Sequence, residues 1–125
     1  MKTVKRKKGD EGEEVAFAYL KKHGYKILER NYSAKFGEVD LIAKKEKTVI
    51  FVEVKTRKDA LQSDLYPERN VDWRKQRKLI RTAEYYLIKN NYPDDTPWQI
   101  DVIGVELDMV SRRANLRHLK NAVCL

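Results

Sequence analysis

The sequence predicts a single α/β domain in which helices flank a mixed β-sheet of four to five strands. Segments with a helical apolar period alternate with short β-branched runs, in the order helix, strand, hairpin, helix, strand, strand. The chain has 125 residues, of which 42% are hydrophobic. This length allows one compact domain, residues 1–125, with one modest core.

Two segments carry the signals of helices. The first is expected over Asp10–Lys22, where Gly9 and Asp10 mark the start, acidic residues fill the first turn and Gly24 follows the end. The second is expected over Val71–Asn90 and is the longest element. Its predicted buried stripe has helical spacing and consists of Gln76, Leu79, Ile80, Ala83, Tyr86 and Leu87.

Short apolar runs bounded by turn residues predict the strands. They are Tyr25–Tyr32, the hairpin of Val39–Ala43 and Thr48–Val54, then Trp98–Leu107 and Ala114–Leu119. The polar stretch Lys58–Asn70 follows the hairpin directly. A loop of this length in a small domain is either disordered or functional, and here it is placed to cover a substrate.

The hairpin places three charged residues, Asp40, Glu53 and Lys55, inside apolar strands. Charged side chains in such strands cost free energy unless they are paired or bind a ligand. Glu53 and Lys55 are two residues apart and project from the same face of their strand. The pattern therefore indicates a site.

The length of the turn decides whether Asp40 joins that face. A two-residue turn at Glu46–Lys47 sets Asp40 directly across from Glu53, and a turn at Lys45–Glu46 sets it one diagonal away. A three-residue loop without a bulge turns it to the other face. Glu38 shares the face of Asp40 and is a spare carboxylate at the strand mouth.

These residue types suit a divalent cation and a phosphate. Asp40 and Glu53 offer hard oxygen ligands for Mg²⁺ or Mn²⁺, and the carbonyl of Val54 can add another. Lys55 can orient an attacking water and stabilise the charge on phosphorus. The alternative is a structural salt bridge from Asp40 or Glu53 to Lys55.

The positions of three further ionisable residues predict their roles. Glu13 lies on the inward stripe of the first helix and is either a helix-start charge or a third ligand. Asp101 is the polar residue in the apolar middle of its strand and is read as structural, held by a buried partner. His23 is read as a surface histidine that compensates the helix dipole.

Basic residues exceed acidic ones and give a formal net charge of +8. Such an excess favours binding to nucleic acid or another anionic surface, although ribosomal and membrane-surface proteins share it. On the second helix, Arg74, Arg77, Lys78 and Arg81 form either a phosphate track or a solvated face. Residues 1–8 hold five lysines and arginines. They are expected to form a mobile arm that contacts phosphates or is simply solvated.

Cysteine content and hydropathy exclude several classes of protein. Cys124 is the single cysteine, so a disulfide framework and a Cys/His zinc set are excluded. No apolar run has the length of a signal-peptide core or a membrane span. We therefore expect a cytoplasmic protein with no membrane partner.

The hairpin motif resembles a known superfamily. Asp40…Glu53-Val54-Lys55 is similar to the D…(D/E)-x-K signature of restriction-endonuclease-like proteins. Gly12-Glu13, ILERNY (27–32), GEVDLIA (37–43) and FVEVKTR (51–57) more closely resemble the bacterial YraN-like family. The likeness continues through Lys75-Gln76, Ile100-Asp101-Val102 and HLKNA (118–122), so it covers nearly the whole chain. The segment Lys58–Asn70 departs from the pattern because it lacks the expected Gly and small residues.

The resemblance implies a fold and an activity. YraN-like proteins are predicted endonucleases, distantly related to archaeal Holliday-junction resolvases, with a restriction-endonuclease-like core. This implies an Mg²⁺- or Mn²⁺-dependent endonuclease that cuts junction or branched DNA, with a homodimer suggested by kinship to resolvases.

The resemblance also assigns roles to residues of the site. It implies Asp40, Glu53, Glu13 and the Val54 carbonyl as metal ligands and Lys55 as a catalytic residue. It marks Lys75 and Gln76 as neighbours of the site, and we place the DNA contacts on these two residues together with Arg74, Lys78 and Glu38.

Two functions from other classes remain open. One is a nucleic-acid-binding module that keeps the nuclease fold without turnover. The other is a ribosomal or protein-partner adaptor.

Overall fold

The computed structural model describes the backbone of residues 4–58 and 72–123, and the side chains in these ranges from Glu11 onward. The elements are α1 (Val4–Lys22), β1 (Lys26–Ala34), β2 (Gly37–Lys45), β3 (Thr48–Lys58), α2 (Trp73–Lys89), β4 (Trp98–Asp108) and β5 (Arg113–Leu119). The predicted loop at Lys58–Asn70 lies outside the described residues except for Lys58, which ends β3.

The five strands form one sheet in the order β1-β2-β3-β4-β5. Neighbouring strands are antiparallel, except that β3 and β4 are parallel. The connection between these parallel strands includes α2, as a crossover requires. The prediction of a mixed sheet of four to five strands flanked by helices is confirmed, and it agrees with a restriction-endonuclease-like core.

The two helices cover opposite faces of the sheet. Ala16 and Leu20 of α1 pack on alternate residues of the strands, including Leu41, Val52 and Ile103. On the other face, α2 packs through the cluster that contains Val49, Phe51, Leu79, Ala83, Tyr86, Leu87 and Ile100. Side chains of successive strand residues point to opposite faces of the sheet. The same strands therefore contribute to two apolar layers, one under each helix.

The helices differ in detail from the prediction. The backbone of α1 is helical from Val4, six residues before Asp10, because the lysines and arginine that precede Gly9 are good helix formers. In α2, Thr82 is fully buried, although the predicted stripe does not include it. Its hydroxyl donates to the Lys78 carbonyl at 2.8 Å, which satisfies it inside the helix. None of the helices in the described ranges is both long and apolar enough to cross a membrane.

Candidate functional site

The β2–β3 hairpin brings Asp40 and Glu53 together, as the two-residue turn predicts. The register runs from Lys45↔Thr48 to Leu41↔Val52, with Glu46 and Lys47 in the turn. One step further, Asp40 stands opposite Glu53 on the same face. The Val54 N–H donates to Asp40 Oδ2 at 2.7 Å, which fixes the aspartate against β3.

The carboxyl groups of Asp40 and Glu53 interact directly. Burial raises the pKa of Asp40 well above its usual value, and the hydrogen bond and charge of Glu53 raise it further. The Val54 N–H lowers this pKa, while the charge of Glu13 raises it. Glu53 is only 3% exposed. Two carboxylates held this close favour the uptake of a proton or a cation.

The backbone of Val54 adds an oxygen to this site. In a strand, the N–H and C=O of one residue point toward the same neighbouring strand. Because the Val54 N–H points to Asp40, the Val54 carbonyl lies on that side as well. The paired register of β2 with β3 ends at Leu41↔Val52, so this carbonyl stands where the two strands part.

The ion-pair partner of Glu53 comes from α2. Lys75 Nζ lies 2.7 Å from Glu53 Oε2, and the side chain of the N-cap residue Asp72 accepts from the Lys75 N–H at 2.9 Å. Burial lowers the pKa of Lys75, but the hydrogen bond and charge of Glu53 outweigh it and the net shift is upward. Lys55 lies on the same face as Glu53, partly buried. The family resemblance marks Lys75 as a neighbour of the site but does not identify it as the partner of Glu53.

A close contact between α1 and β3 positions Glu13. A Cβ atom added to Gly12 would lie 1.8 Å from Thr56 Oγ1 and 2.9 Å from Thr56 Cβ. Glycine therefore lets the helix approach the strand next to Lys55. Glu13 follows Gly12 and is 8% exposed, and its charge acts on Asp40.

The donors fit a cation that keeps much of its own water. Among the described residues, no group of three or more His, Cys, Asp or Glu side chains has the arrangement of a metal-binding cluster. Mg²⁺ commonly takes one or two carboxylates and several waters. Asp40, Glu53 and the Val54 carbonyl supply oxygen donors of this kind, while Glu13 adds negative charge nearby.

A cleft of about 200 Å³ opens beside these groups. It is lined by Gly37, Glu38, Asp40, Glu53, Lys75, Lys78 and Leu79. Glu38 and Lys78, both expected to contact DNA, line this cleft together with the carboxylates. Gln76 is partly buried one residue further along the first turn of α2. Arg74 is exposed, and its guanidinium lies 5.9 Å from the centre of the Trp73 ring.

Asp101 is structural, as the sequence predicts, and lies on the α1 face of the sheet. Its carboxylate accepts from His118 Nε2 at 2.7 Å, Gln99 Nε2 at 2.8 Å and the Asn121 N–H at 2.8 Å. Burial raises its pKa, but these hydrogen bonds outweigh burial and the net shift is downward. The Tyr19 hydroxyl lies 2.9 Å from His118 Nδ1, which joins α1 to this network.

His23 matches its predicted role as a surface histidine at the end of a helix. It is exposed, and its Nδ1 lies 2.8 Å from the Tyr19 carbonyl in the last turn of α1. A histidine near the C-terminus of a helix satisfies one of the carbonyls that lack a partner within the helix.

Comparison with known proteins gives a match over most of the chain. A family model described as "Uncharacterised protein family UPF0102" matches residues 12–105, which include Glu13, Asp40, Glu53 and Lys55. A UPF0102 protein of Clostridioides difficile is 48% identical over 117 residues, covering 94% of this chain and 96% of the relative. UPF0102 proteins of Persephonella marina and Caldicellulosiruptor saccharolyticus are each 41% identical over 118 residues. These two alignments cover 92% and 94% of this chain and 91% and 98% of the relatives.

Proposed function

Because the chain belongs to the uncharacterised protein family UPF0102, whose description names no activity, we propose a function from the site itself. The protein is a divalent-metal-dependent endonuclease that hydrolyses phosphodiester bonds in DNA. The observation that carries this proposal is the pairing of Asp40 with Glu53 across the hairpin, where burial and then the carboxyl group of Glu53 raise the pKa of Asp40. A carboxylate pair of this kind is stabilised by a cation and supplies the ligands that Mg²⁺ or Mn²⁺ prefers.

The residues divide the chemistry between them. Asp40, Glu53 and the Val54 carbonyl would hold the cation with help from Glu13, whose charge acts on Asp40. When bound, the metal acts as a Lewis acid on the scissile phosphate and lowers the pKa of an attacking water. Lys55, on the face of Glu53, orients the attacking water and stabilises the negative charge that develops on the phosphate.

The proposed binding of DNA depends on positive charge around the cleft. Lys75 and Lys78 line the cleft and Arg74 is exposed at the same helix end. Their positive charges attract the phosphate backbone without reading bases. Cutting at junctions or branches suits such a surface, and a homodimer would provide the two sites needed for paired cuts.

Cleavage of branched and linear DNA with Mg²⁺ or Mn²⁺ tests the proposal. Asp40→Asn and Lys55→Ala should each lower the cleavage rate by about 100-fold or more, because each removes a group that acts on the transition state. Asp95→Asn and Lys89→Ala are matched controls at exposed positions and should cut at the wild-type rate. Equal rates in all four variants, or no cleavage of any substrate, would contradict the proposal.

Metal binding provides a readout independent of turnover. A ligand present at 100 times its Kd and specific for the native state adds about 2.7 kcal/mol to the free energy of unfolding. Mn²⁺ should therefore raise the Tm of wild type and of Asp95→Asn but not that of Asp40→Asn. A similar rise in Asp40→Asn would exclude Asp40 as a ligand.

One observation favours a second function, a nucleic-acid-binding module without turnover. The Lys75–Glu53 ion pair compensates one carboxylate without a metal. This alternative predicts salt-dependent DNA binding that neither divalent ions nor Asp40→Asn and Lys55→Ala alter. The nuclease proposal predicts that these two substitutions abolish cutting while DNA binding persists.

A further inference from the structure

Two aromatic rings pair with each other outside both apolar clusters of the fold. Phe36 lies in the turn between β1 and β2, and the centre of its ring is 6.1 Å from that of Tyr85 on α2. The two rings meet edge to face, as aromatic pairs prefer. Tyr85 is 37% exposed, and neither ring belongs to the cluster under either helix. The pair therefore lies at the surface rather than in the core.

Each of these rings has a cation beside it. The Arg81 guanidinium lies 4.4 Å from the centre of the Phe36 ring, and Lys89 Nζ lies 5.6 Å from the centre of the Tyr85 ring. Both distances are those of cation–π contacts. Within the described ranges, neither Arg81 nor Lys89 forms an ion pair with a carboxylate. We name Phe36, Arg81, Tyr85 and Lys89 the aromatic platform.

The aromatic platform begins where the cleft of the carboxylate site ends. Phe36 precedes Gly37, which lines that cleft, and a Cβ atom added to Gly37 would lie 3.6 Å from Lys78 Cβ. Lys78 also lines the cleft, and Arg81 and Tyr85 follow it at i+3 and i+7 on one face of α2. Tyr85 is thus about 10 Å from Lys78 along the helix axis. A strand that leaves the cleft along α2 passes over the aromatic platform.

The charge of α2 favours an anionic ligand along this path. Glu84 is the single acidic residue of the helix, whereas six of its residues are lysine or arginine. Glu84 is turned by about 100° from Tyr85 around the helix axis, and it lines a different cavity. The face that carries Lys78, Arg81 and Lys89 therefore attracts phosphates.

Aromatic rings beside cations are typical of surfaces that bind single-stranded nucleic acid. Bases stack on aromatic rings and on guanidinium planes, while lysine and arginine side chains contact the phosphates. Paired bases in a duplex cover each other's faces, so only unpaired nucleotides can stack on a protein ring in this way. An aromatic platform beside the proposed cutting site therefore fits a DNA strand with unpaired bases.

We propose that the aromatic platform binds unpaired nucleotides of the DNA strand that enters the carboxylate site. The inference rests on the proposed nuclease function and narrows its substrate to branched DNA with a single-stranded flap or tail next to the cut. Tyr85 supplies the exposed ring on which a base stacks. Phe36 is a positioning residue that holds the Arg81 guanidinium, and Arg81 and Lys89 contact the neighbouring phosphates.

DNA binding in EDTA, which prevents metal-dependent cutting, tests the aromatic platform. Fluorescence anisotropy gives the affinity for a labelled single strand, for a blunt duplex and for the same duplex with a single-stranded flap. Tyr85→Ala should weaken binding of the single strand and of the flapped duplex about tenfold, because one stacked base is lost. Binding of the blunt duplex should stay unchanged. Tyr85→Trp should bind all three DNAs like wild type, because its ring also stacks.

The salt dependence of binding separates the rings from the cations. Arg81→Gln should reduce the slope of log K against log salt for the single strand by about 0.7, because one phosphate contact is lost. Tyr85→Ala removes no charge and should leave this slope unchanged.

Ile88→Ala and Arg30→Gln are the matched controls. Ile88 is 77% exposed on the same helix but lines the cavity that Glu84 also lines. The Arg30 guanidinium lies 4.3 Å from the ring of Phe17 on α1, which covers the opposite face of the sheet. Both variants should bind the three DNAs like wild type, and unfolding curves verify that every variant folds.

Two results of these measurements would overturn the inference. One is Tyr85→Ala binding the single strand as well as Ile88→Ala does, and the other is an equal loss of affinity for the single strand and the blunt duplex. Binding of none of the three DNAs by wild type would overturn both proposals and assign the exposed rings to a protein partner. Metal-dependent cutting of flapped and blunt DNA at equal rates by wild type and Tyr85→Ala would reject the aromatic platform and leave the nuclease proposal standing. Single-strand binding that depends on Tyr85 in a protein that never cuts DNA would do the reverse.

Discussion

Asp40 and Asp101 are both aspartates in apolar strands, yet their surroundings differ in kind. Asp101 is fully buried and accepts hydrogen bonds from His118, Gln99 and the Asn121 N–H. Asp40 accepts from the Val54 N–H and faces the carboxyl group of Glu53. Burial raises the pKa of both groups, but the net shift is downward for Asp101 and upward for Asp40.

The comparison shows that neighbours decide the role of a buried carboxylate more than burial does. Donors around Asp101 replace the water that it lost on folding, so its charge stabilises the fold. A second carboxylate beside Asp40 makes its charge unfavourable until a proton or cation arrives. The first arrangement is typical of structure and the second of a functional site.

The largest expected difference is in stability after removal of each carboxylate. Asp101→Ala should lower the free energy of unfolding by about 3–5 kcal/mol, because it leaves buried donors without their charged acceptor. Asp40→Ala should change it by no more than about 1 kcal/mol, since relief of repulsion offsets the lost Val54 hydrogen bond. Urea unfolding at neutral pH without divalent ions measures both. Equal losses would mean that Asp40 is as structural as Asp101.

A substitution in α1 should disturb both regions, because this helix carries Glu13 toward Asp40 and Tyr19 toward His118. Alanine in place of glycine normally favours a helix by about 1 kcal/mol. Gly12→Ala should instead destabilise the protein by about 2 kcal/mol, because the new Cβ overlaps Thr56. Adding Thr56→Ala removes the nearest atom, so the double variant should recover about half of that loss. Denaturant unfolding of wild type, the two single variants and the double variant gives the coupling free energy between the two positions. Additive effects of the two substitutions would disprove the contact.

The dependence of stability on pH should have opposite signs for the two aspartates. Between the unfolded pKa of about 3.9 and the raised pKa of Asp40, the folded state keeps a proton that the unfolded state has lost. The free energy of unfolding therefore falls as pH rises through this interval, by up to about 1.4 kcal/mol per pH unit. The contribution of Asp101 is present above about 3.9 and is lost as pH falls through its lowered pKa.

Asp40→Asn separates these two contributions. In metal-free buffer, the free energy of unfolding of the variant should no longer fall as pH rises above about 4. It should still fall at acidic pH, where Asp101 becomes protonated. The free energy of unfolding of the variant should exceed that of wild type by an amount that grows with pH and becomes constant above the folded pKa of Asp40. Unfolding curves at successive pH values measure this, and parallel profiles for the two proteins would contradict the raised pKa.

The sequence predicts those parts of the site that depend on local spacing. The turn at Glu46–Lys47 fixes the hairpin register, and the register places Asp40 beside Glu53. The structural role of Asp101 also follows from one polar residue in an apolar strand, although its partner His118 does not. Hairpin geometry is set within a few residues, so pattern and turn length suffice.

Contacts between distant elements could not be predicted in the same way. The Lys75–Glu53 ion pair depends on how α2 lies across the sheet, and the Arg57–Glu106–Arg117 cluster depends on the order of three strands. The approach of Gly12 to Thr56 depends on the crossing of a helix over β3. Side-chain period indicates which face a residue occupies but not which element covers it.

The smallest expected effect concerns Lys75. Substitution of this residue distinguishes a Glu53 that binds a cation from a Glu53 whose charge is simply neutralised by the lysine. Lys75→Met should change the free energy of unfolding by less than about 1 kcal/mol, because the lysine side chain is 46% exposed and solvent screens the pair. Without this competing ammonium group, Glu53 should hold Mn²⁺ about 3–10-fold more tightly, as expected from about 1 kcal/mol of lost competition. Lys78→Met removes the same charge from the same cleft without touching the ion pair and should change the affinity less. Calorimetric titration with Mn²⁺ measures all three proteins, and weaker binding by Lys75→Met would place Lys75 among the groups that build the cation site.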